Sequence, residues 1–297
     1  MVVITAQDAA DRLSPVFRGR KGRLLFNIAA QVTGIAKVNA CHDRVDSKGI
    51  QPGPDFAKGI LDDAGVDFRI GNPERLSTLP EGPFIVIANH FYGHLDGICL
   101  LDLIGHVRKE TKVMVNEMLT WIQGLAPSFI AVNPTLATRT EASTTSINGV
   151  KNALLQIRSG GPLCLFPSGA VADLKPREHW TLSERDWQDA AIRLIRKAQV
   201  PIVPVRFFDR NSWFYYALGL IDYRVRFVRL FHELFNKRGT FPRVGIGETI
   251  SVQEQAQYPD LQAFKDFLRR SVYDMPLPAS FVKRSELWTS NQYKSSL

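Results

Sequence analysis

Two kinds of hydrophobic pattern divide this chain. From Pro83 onward, short apolar runs rich in β-branched residues recur: "PFIVIAN" (83–89), "KVMV" (112–115), "SFIAV" (128–132), "PLCLF" (162–166), "VPIVPVRF" (200–207) and "PRVGIG" (242–247). Runs of this length without polar alternation predict strands buried on both faces. Helical spacing lies between them, at 97–107, at "TSINGVKNALLQIRS" (145–159) and at "WQDAAIRLIRKA" (187–198), and "PDLQAFKDFLRRSVY" (259–273) predicts a closing helix. Strands alternating with helices predict an α/β fold, a mainly parallel central sheet flanked by helices.

The first eighty residues read differently. "VFRGRKGRLLFNIAAQVTGIAKV" mixes Arg18, Arg20, Lys21 and Arg23 with Leu24, Leu25, Phe26 and Ile28. It is either a helix that packs its apolar side on the core or an amphipathic segment that lies on a membrane. "FAKGILDDAGVDFRI" predicts a helix ending near Gly65 and then a short strand. The expected organisation is an N-terminal helical, membrane-proximal region (1–79), a core (80–250), and a C-terminal helix and tail (251–297). The last stretch, "KRSELWTSNQYKSSL", is polar and expected to be loose.

Charge narrows the partners. Lys and Arg number 37 against 29 Asp and Glu, a net charge of +8. That balance suits an anionic lipid surface, a nucleic acid or a phosphorylated ligand, and suits plain solubility equally. No nucleic-acid module is visible, so nucleic acid is not an expected partner. Cys41, Cys99 and Cys164 are scattered, without metal spacing or a disulfide framework, which points to cytosolic exposure. The start of the chain has no secretory pattern, and no apolar run is long enough to span a bilayer. A protein of this kind that works on membranes is expected to lie on them.

The densest chemistry is "NHFYGHLDGICLL" (89–101), directly after the first strand of the second region. His90, His94 and Asp96 admit three readings: a metal site, histidines that satisfy loop backbone, or a His–Asp dyad in which the carboxylate holds one tautomer and the other ring nitrogen acts as base. Composition alone leaves these open, although no further ligand cluster supports a metal.

The same stretch resembles the glycerolipid and lysophospholipid acyltransferases of the phosphatidic-acid-forming type, whose hallmark is Asn-His, four residues, Asp. Five residues separate His90 from Asp96 here, and "HFYGHLDG" is similar to the hemolysin-type subgroup's His-Pro-Phe-Gly-Gly-Leu-Asp-Gly. Phe91 stands where Pro is common and His94 where the second Gly is common. Further blocks follow in the family's order: "VNEMLTWIQGLAPSFIAVNP" (115–134), "GGPLCLFPSGAVADL" (160–174), "VPIVPVRFFDRNSWFYYALGLI" (200–221) and "ELFNKRG" (233–239). The resemblance covers roughly residues 80 to 250 and extends to lyso-aminolipid O-acyltransferases such as those that complete glycine lipids.

The resemblance implies acyl transfer without a cofactor, from acyl-carrier protein or acyl-CoA to a lyso-lipid hydroxyl, on the cytoplasmic face of the inner membrane. His90 is the implied base and Asp96 its partner. Asn89, Gly93, His94, Arg139, Phe166, Pro167, Ser168, Gly169 and Arg206 are expected toward the substrates, with backbone N–H groups near Gly93 or Gly169 as oxyanion donors. The third block reads "FPSGAVAD" where the family usually carries Glu, and the second block lacks the family's Arg. The phosphate anchors are therefore displaced, to Arg139, Lys175 or Arg206, or the acceptor is an aminolipid rather than lysophosphatidic acid. Ser168 lines the acceptor site or serves the turn, because no Gly-x-Ser-x-Gly elbow surrounds it. Asn211 and Ser212 shape an acyl pocket or cap a helix. "DYRVRFVRLFHELFNKRG" (222–239) faces an anionic membrane or packs on the core. The rival to an enzyme is a non-catalytic lipid-binding protein on the same fold.

Overall fold

The computed structural model describes residues 18–132, 144–221 and 223–287, together with Thr5 and Gln7. Three helices open the chain: α1 (Gly19–Thr33), α2 (Ile35–Asp46) and α3 (Pro54–Ala64). α3 stops where expected, because Gly65 takes the left-handed conformation (φ 71°) that closes a helix at little cost. Then follow β1 (Arg69–Gly71), β2 (Ile85–Ala88), α4 (His94–Gly105), β3 (Lys112–Asn116) and β4 (Phe129–Val132). After the next helix, α5 (Thr144–Arg158), come β5 (Leu163–Leu165), β6 (Asp173–Lys175), β7 (Thr181–Ser183), α6 (Asp189–Ala198) and β8 (Ile202–Phe207). The rest is α7 (Trp213–Ile221), α8 (Tyr223–Phe235), β9 (Arg243–Ile246), α9 (Val252–Ala256), α10 (Leu261–Tyr273), β10 (Phe281–Lys283) and α11 (Arg284–Leu287).

Eight strands form one sheet in the order β10-β1-β9-β8-β2-β5-β3-β4. The run β8-β2-β5-β3-β4 is parallel throughout, while β8 with β9 and β1 with β10 pair antiparallel. Alternation along each strand feeds two cores. Val86, Ala88, Val203 and Val205 face one side with α2, α3 and α4, and Ile85, Ile87, Leu163, Leu165 and Ile202 face the other with α6 and α10. All four β2 side chains are buried, which is why its sequence carries no polar position.

The sheet crosses the boundaries expected from sequence. β1 comes from the expected N-terminal region and β10 from the expected tail, and the two pair with each other. The segment "KRSEL" (283–287) is correspondingly not loose: it ends β10 and forms α11, with Arg284 buried. Residues 288–297, and Arg139, Asn133 and Pro134 of the second block, lie outside the described residues. The β6–β7 hairpin and α11 carry no apolar periodicity and were not anticipated.

Candidate active site

β2 and β5 are parallel neighbours, with Ile87 opposite Leu165. Their C-terminal ends therefore release the His90 turn and the Phe166 loop side by side at one edge of the sheet, the place where open α/β sheets gather chemistry. The consequence is direct contact. The Phe166 ring stacks on the His90 imidazole, centroids 4.2 Å apart at 25°.

Gly93 makes the turn possible. Its φ of 76° belongs to glycine, and a Cβ there would lie 2.7 Å from Leu230 of α8. The turn starts α4 at His94, three residues before the sequence pattern suggests, and puts Asp96 at the third helical position. There its carboxylate closes a capping box back onto the turn. Asp96 Oδ2 accepts from Tyr92 N (2.9 Å), Gly93 N (3.0 Å) and His90 Nδ1 (2.9 Å). Asp96 is fully buried, and its Oδ1 has no hydrogen-bond partner among the described residues. Burial pushes the Asp96 carboxyl above its ordinary value, opposed by the bond to His90 and by the two backbone donors.

His90 is part-exposed, and Asp96 fixes its Nδ1 as the protonated nitrogen, leaving Nε2 to take a proton. Its backbone is held as firmly as its ring. The His90 carbonyl accepts from Ala172 N (2.9 Å), and its N–H donates to the Glu184 carboxylate. His94, four residues on, is a different environment. Its ring lies 4.7 Å from that of Phe231 and borders a narrow apolar cavity with His42, Cys41 and Ile98. Burial, reinforced by the neighbouring His90, lowers His94 to about 3, so it is a poor base near neutrality.

Residues 67–207 match the family model described as Acyltransferase. That match, with the relatives that follow, supports a glycerolipid or lysolipid acyltransferase family. A lyso-glycine lipid O-acyltransferase from Bacteroides thetaiotaomicron is 25% identical over 231 residues, covering 75% of this chain and 80% of its own. One from Phocaeicola vulgatus is 26% identical over 241 residues, covering 77% and 80%. The crystal structure of the 1-acyl-sn-glycerophosphate (LPA) acyltransferase PlsC from Thermotoga maritima aligns over 74% of this chain and 75% of that one, with 15% identity and a TM-score of 0.45.

The other residues of this acyltransferase singled out in the sequence fall into two groups. Phe166, Pro167, Ser168 and Gly169 form the loop against His90. Ser168 is buried, its hydroxyl within reach of Ala170 O (3.0 Å) and Glu184 Oε1 (2.9 Å), so it serves the turn rather than an open acceptor wall. Gly169 N donates to Phe166 O and Gly93 N to Asp96, so neither glycine's own N–H is available to an oxyanion. Asn89 is buried and bridges strands: its amide donates to Phe207 O (2.8 Å) and accepts from Phe207 N (2.7 Å). Arg206 is engaged elsewhere, donating to Met275 O (2.6 Å) and lying over the Phe208 ring. Lys175 pairs with Glu178 at 3.4 Å. Ser212 accepts from Tyr215 N (3.2 Å) as the cap of α7 and donates to Glu233 (2.7 Å), while Asn211 and Tyr216 bond the carbonyls of Tyr92 and Phe91. Asn211 and Tyr216 thus brace the His90 turn from outside.

Glu184 is the residue sequence reasoning missed. It stands in "SERDW", a polar stretch before α6, and nothing local marks it as buried. It is 2% exposed.

Proposed function

We propose that this protein transfers a fatty acyl group from acyl-carrier protein or acyl-CoA to the hydroxyl of a lyso-aminolipid, with His90 as general base. The observation that carries this is the Nδ1 contact to Asp96 at 2.9 Å, which orients an imidazole held at a strand end beside a loop of the family's third block. In the step, His90 Nε2 takes the acceptor's hydroxyl proton as the oxygen attacks the thioester carbonyl. An O–C bond forms and the C–S bond breaks. The proton then passes from the imidazolium to the departing thiolate, so the enzyme returns to its starting state. Asp96 keeps the tautomer and balances the transient imidazolium.

The aminolipid head is favoured over a phosphate by the loop itself. Ser168 stands where the family carries Glu, and the described candidates for a displaced phosphate site, Lys175 and Arg206, already have partners. The lyso-glycine lipid enzymes among the relatives point the same way.

The acceptor implies a lipid surface. Leu24, Leu25 and Ile28 of α1 and Trp213, Phe214, Leu220 and Ile221 of α7 are exposed. Both helices pack on α8. Arg18, Arg20, Lys21 and Arg23 flank the first group, and Arg210 and Arg229 lie over the Trp213 and Phe214 rings. Apolar side chains framed by cations suit an anionic leaflet, the cytoplasmic one, and α8 leads from it to Gly93 through Leu230. Among the described residues no single helix is long and apolar enough to cross a bilayer; α1 and α2 pass by length and composition only as a pair bent by 84°.

The test is purified full-length protein with acyl-carrier and CoA thioesters and a panel of lyso-lipids, beside His90→Ala shown to be folded by circular dichroism. Transfer to a lyso-aminolipid that the variant loses supports the reading; transfer that survives in the variant overturns it.

A further inference from the structure

We propose that Glu184 is a second carboxylate serving His90, a positioning residue that fixes the base's backbone and holds negative charge behind it. The inference rests on the reading of His90 as base.

The geometry is unusual for a structural carboxylate. Glu184 Oε1 accepts from the His90 N–H and from Ser168 Oγ (2.9 Å). Oε2 accepts from the Tyr273 hydroxyl and from Trp187 Nε1 (3.4 Å). Four donors thus converge on one buried side chain from four separate places: the β2–α4 turn, the loop after β5, the segment entering α6, and the end of α10. Among the described residues nothing basic is bonded to it. An ionised carboxylate without a counter-ion is costly to bury, so its charge is sustained by donors alone. Burial accordingly pushes Glu184 above its ordinary value, opposed chiefly by Tyr273 and then by the charge of a protonated His90.

That last coupling gives the device its purpose. In the proposed reaction His90 takes up a proton, and at that moment Glu184 acquires a counter-charge. Asp96 and Glu184 therefore approach the same residue from two directions, one through the ring and one through the main chain. Other titratable groups around the pair are His94 on α4, Tyr92 in the turn and Tyr273 on α10. Arg206 and Arg269 stand behind Tyr273, the latter 4.9 Å from its ring centroid. The two arginines act on Tyr273, while Glu184 bonds the catalytic segment itself.

The experiment compares full-length wild type, Glu184→Gln and Tyr273→Phe. Glutamine keeps the shape and the acceptor toward His90 N–H but removes the charge. Phenylalanine removes the donor that chiefly opposes burial at Glu184 and so weakens its charge. The His90 ring is titrated by NMR in histidine-labelled protein, its resonance assigned by its absence in His90→Ala; this readout requires no turnover. In Glu184→Gln the titration midpoint is expected to fall by about half a unit or more, with kcat down about tenfold and KM within about twofold. In Tyr273→Phe the midpoint is expected to fall as well, because loss of that donor raises Glu184 further and leaves less negative charge facing the histidine. A midpoint in Glu184→Gln equal to that of wild type overturns the proposal. So does a Tyr273→Phe midpoint at or above that of wild type, since loss of the donor would then not weaken the charge facing the histidine. Should Glu184→Gln fail to fold, Tyr273→Phe alone decides: a fall supports the proposal, and a midpoint equal to or above that of wild type overturns it. Absence of acyl transfer in wild type would count against the proposed reaction and leave the titration result standing on its own.

Discussion

The two ends of α4 each hold a fully buried aspartate beside a histidine, and they are built to opposite purposes. At the N-terminal end, Asp96 receives two backbone N–H groups and the His90 ring, and the helix dipole favours its charge. At the C-terminal end, Asp102 has His106 Nδ1 at 3.4 Å and Arg284 at 3.7 Å, but neither carboxylate oxygen has a hydrogen bond among the described residues. The dipole opposes its charge there. Burial raises Asp102 to about 6, with Arg284 and His106 pulling it down. One end orients the ring proposed as the general base. The other is a clamp, through which Arg284 ties α11 to Asp102 of α4 and to Asp62 of α3.

Substitutions that separate the two ends sharpen this contrast. His90→Ala is expected to reduce acyl transfer by about 10²–10⁴-fold at unchanged fold, whereas His106→Ala retains turnover within about threefold; equal losses in a thioester assay would erase the distinction. Arg284→Ala strands a buried charge and should lower unfolding free energy by about 3–5 kcal/mol in urea titrations, with kcat of the folded fraction preserved. The pH dependence of that clamp has a definite sign. Because the folded value of Asp102, about 6, lies above its ordinary 3.8, its contribution is full below about pH 4 and is lost as pH rises through about 6. Between pH 4 and 7 wild type should therefore lose about 3 kcal/mol more stability than Asp102→Asn, a difference read from unfolding curves at each pH. Asp96→Asn keeps an acceptor for the turn but no longer holds the His90 tautomer, and a fall in kcat of about 10²-fold with little change in melting temperature is expected.

The contrast also shows what a sequence discloses. Strands β2 and β5 were readable because burial on both faces removes every polar position from "IVIA" and "LCL". The His90–Asp96 pair was readable because it is local: one turn and a capping box set its geometry. Glu184 was not, since its burial comes from Tyr273, 89 residues later, and from a loop released by another strand. Arg284 looked like part of a polar tail for the same reason; its partners are on α3 and α4. Ser168 was visible but its direction was not, because whether a hydroxyl lines a cleft or serves its own turn depends on Glu184. The β6–β7 hairpin escaped notice because three-residue strands with no buried side chain leave no alternation to read.

The main chain of His90 is gripped by Ala172 and Glu184, which are made long after it, and Glu184 in turn by Tyr273 near the far end of the described chain. During synthesis the exposed apolar residues of α1 are made early and the groups that grip His90 late. A chain interrupted before Glu184 would carry the exposed apolar face of α1 but lack the carboxylate that holds the His90 main chain.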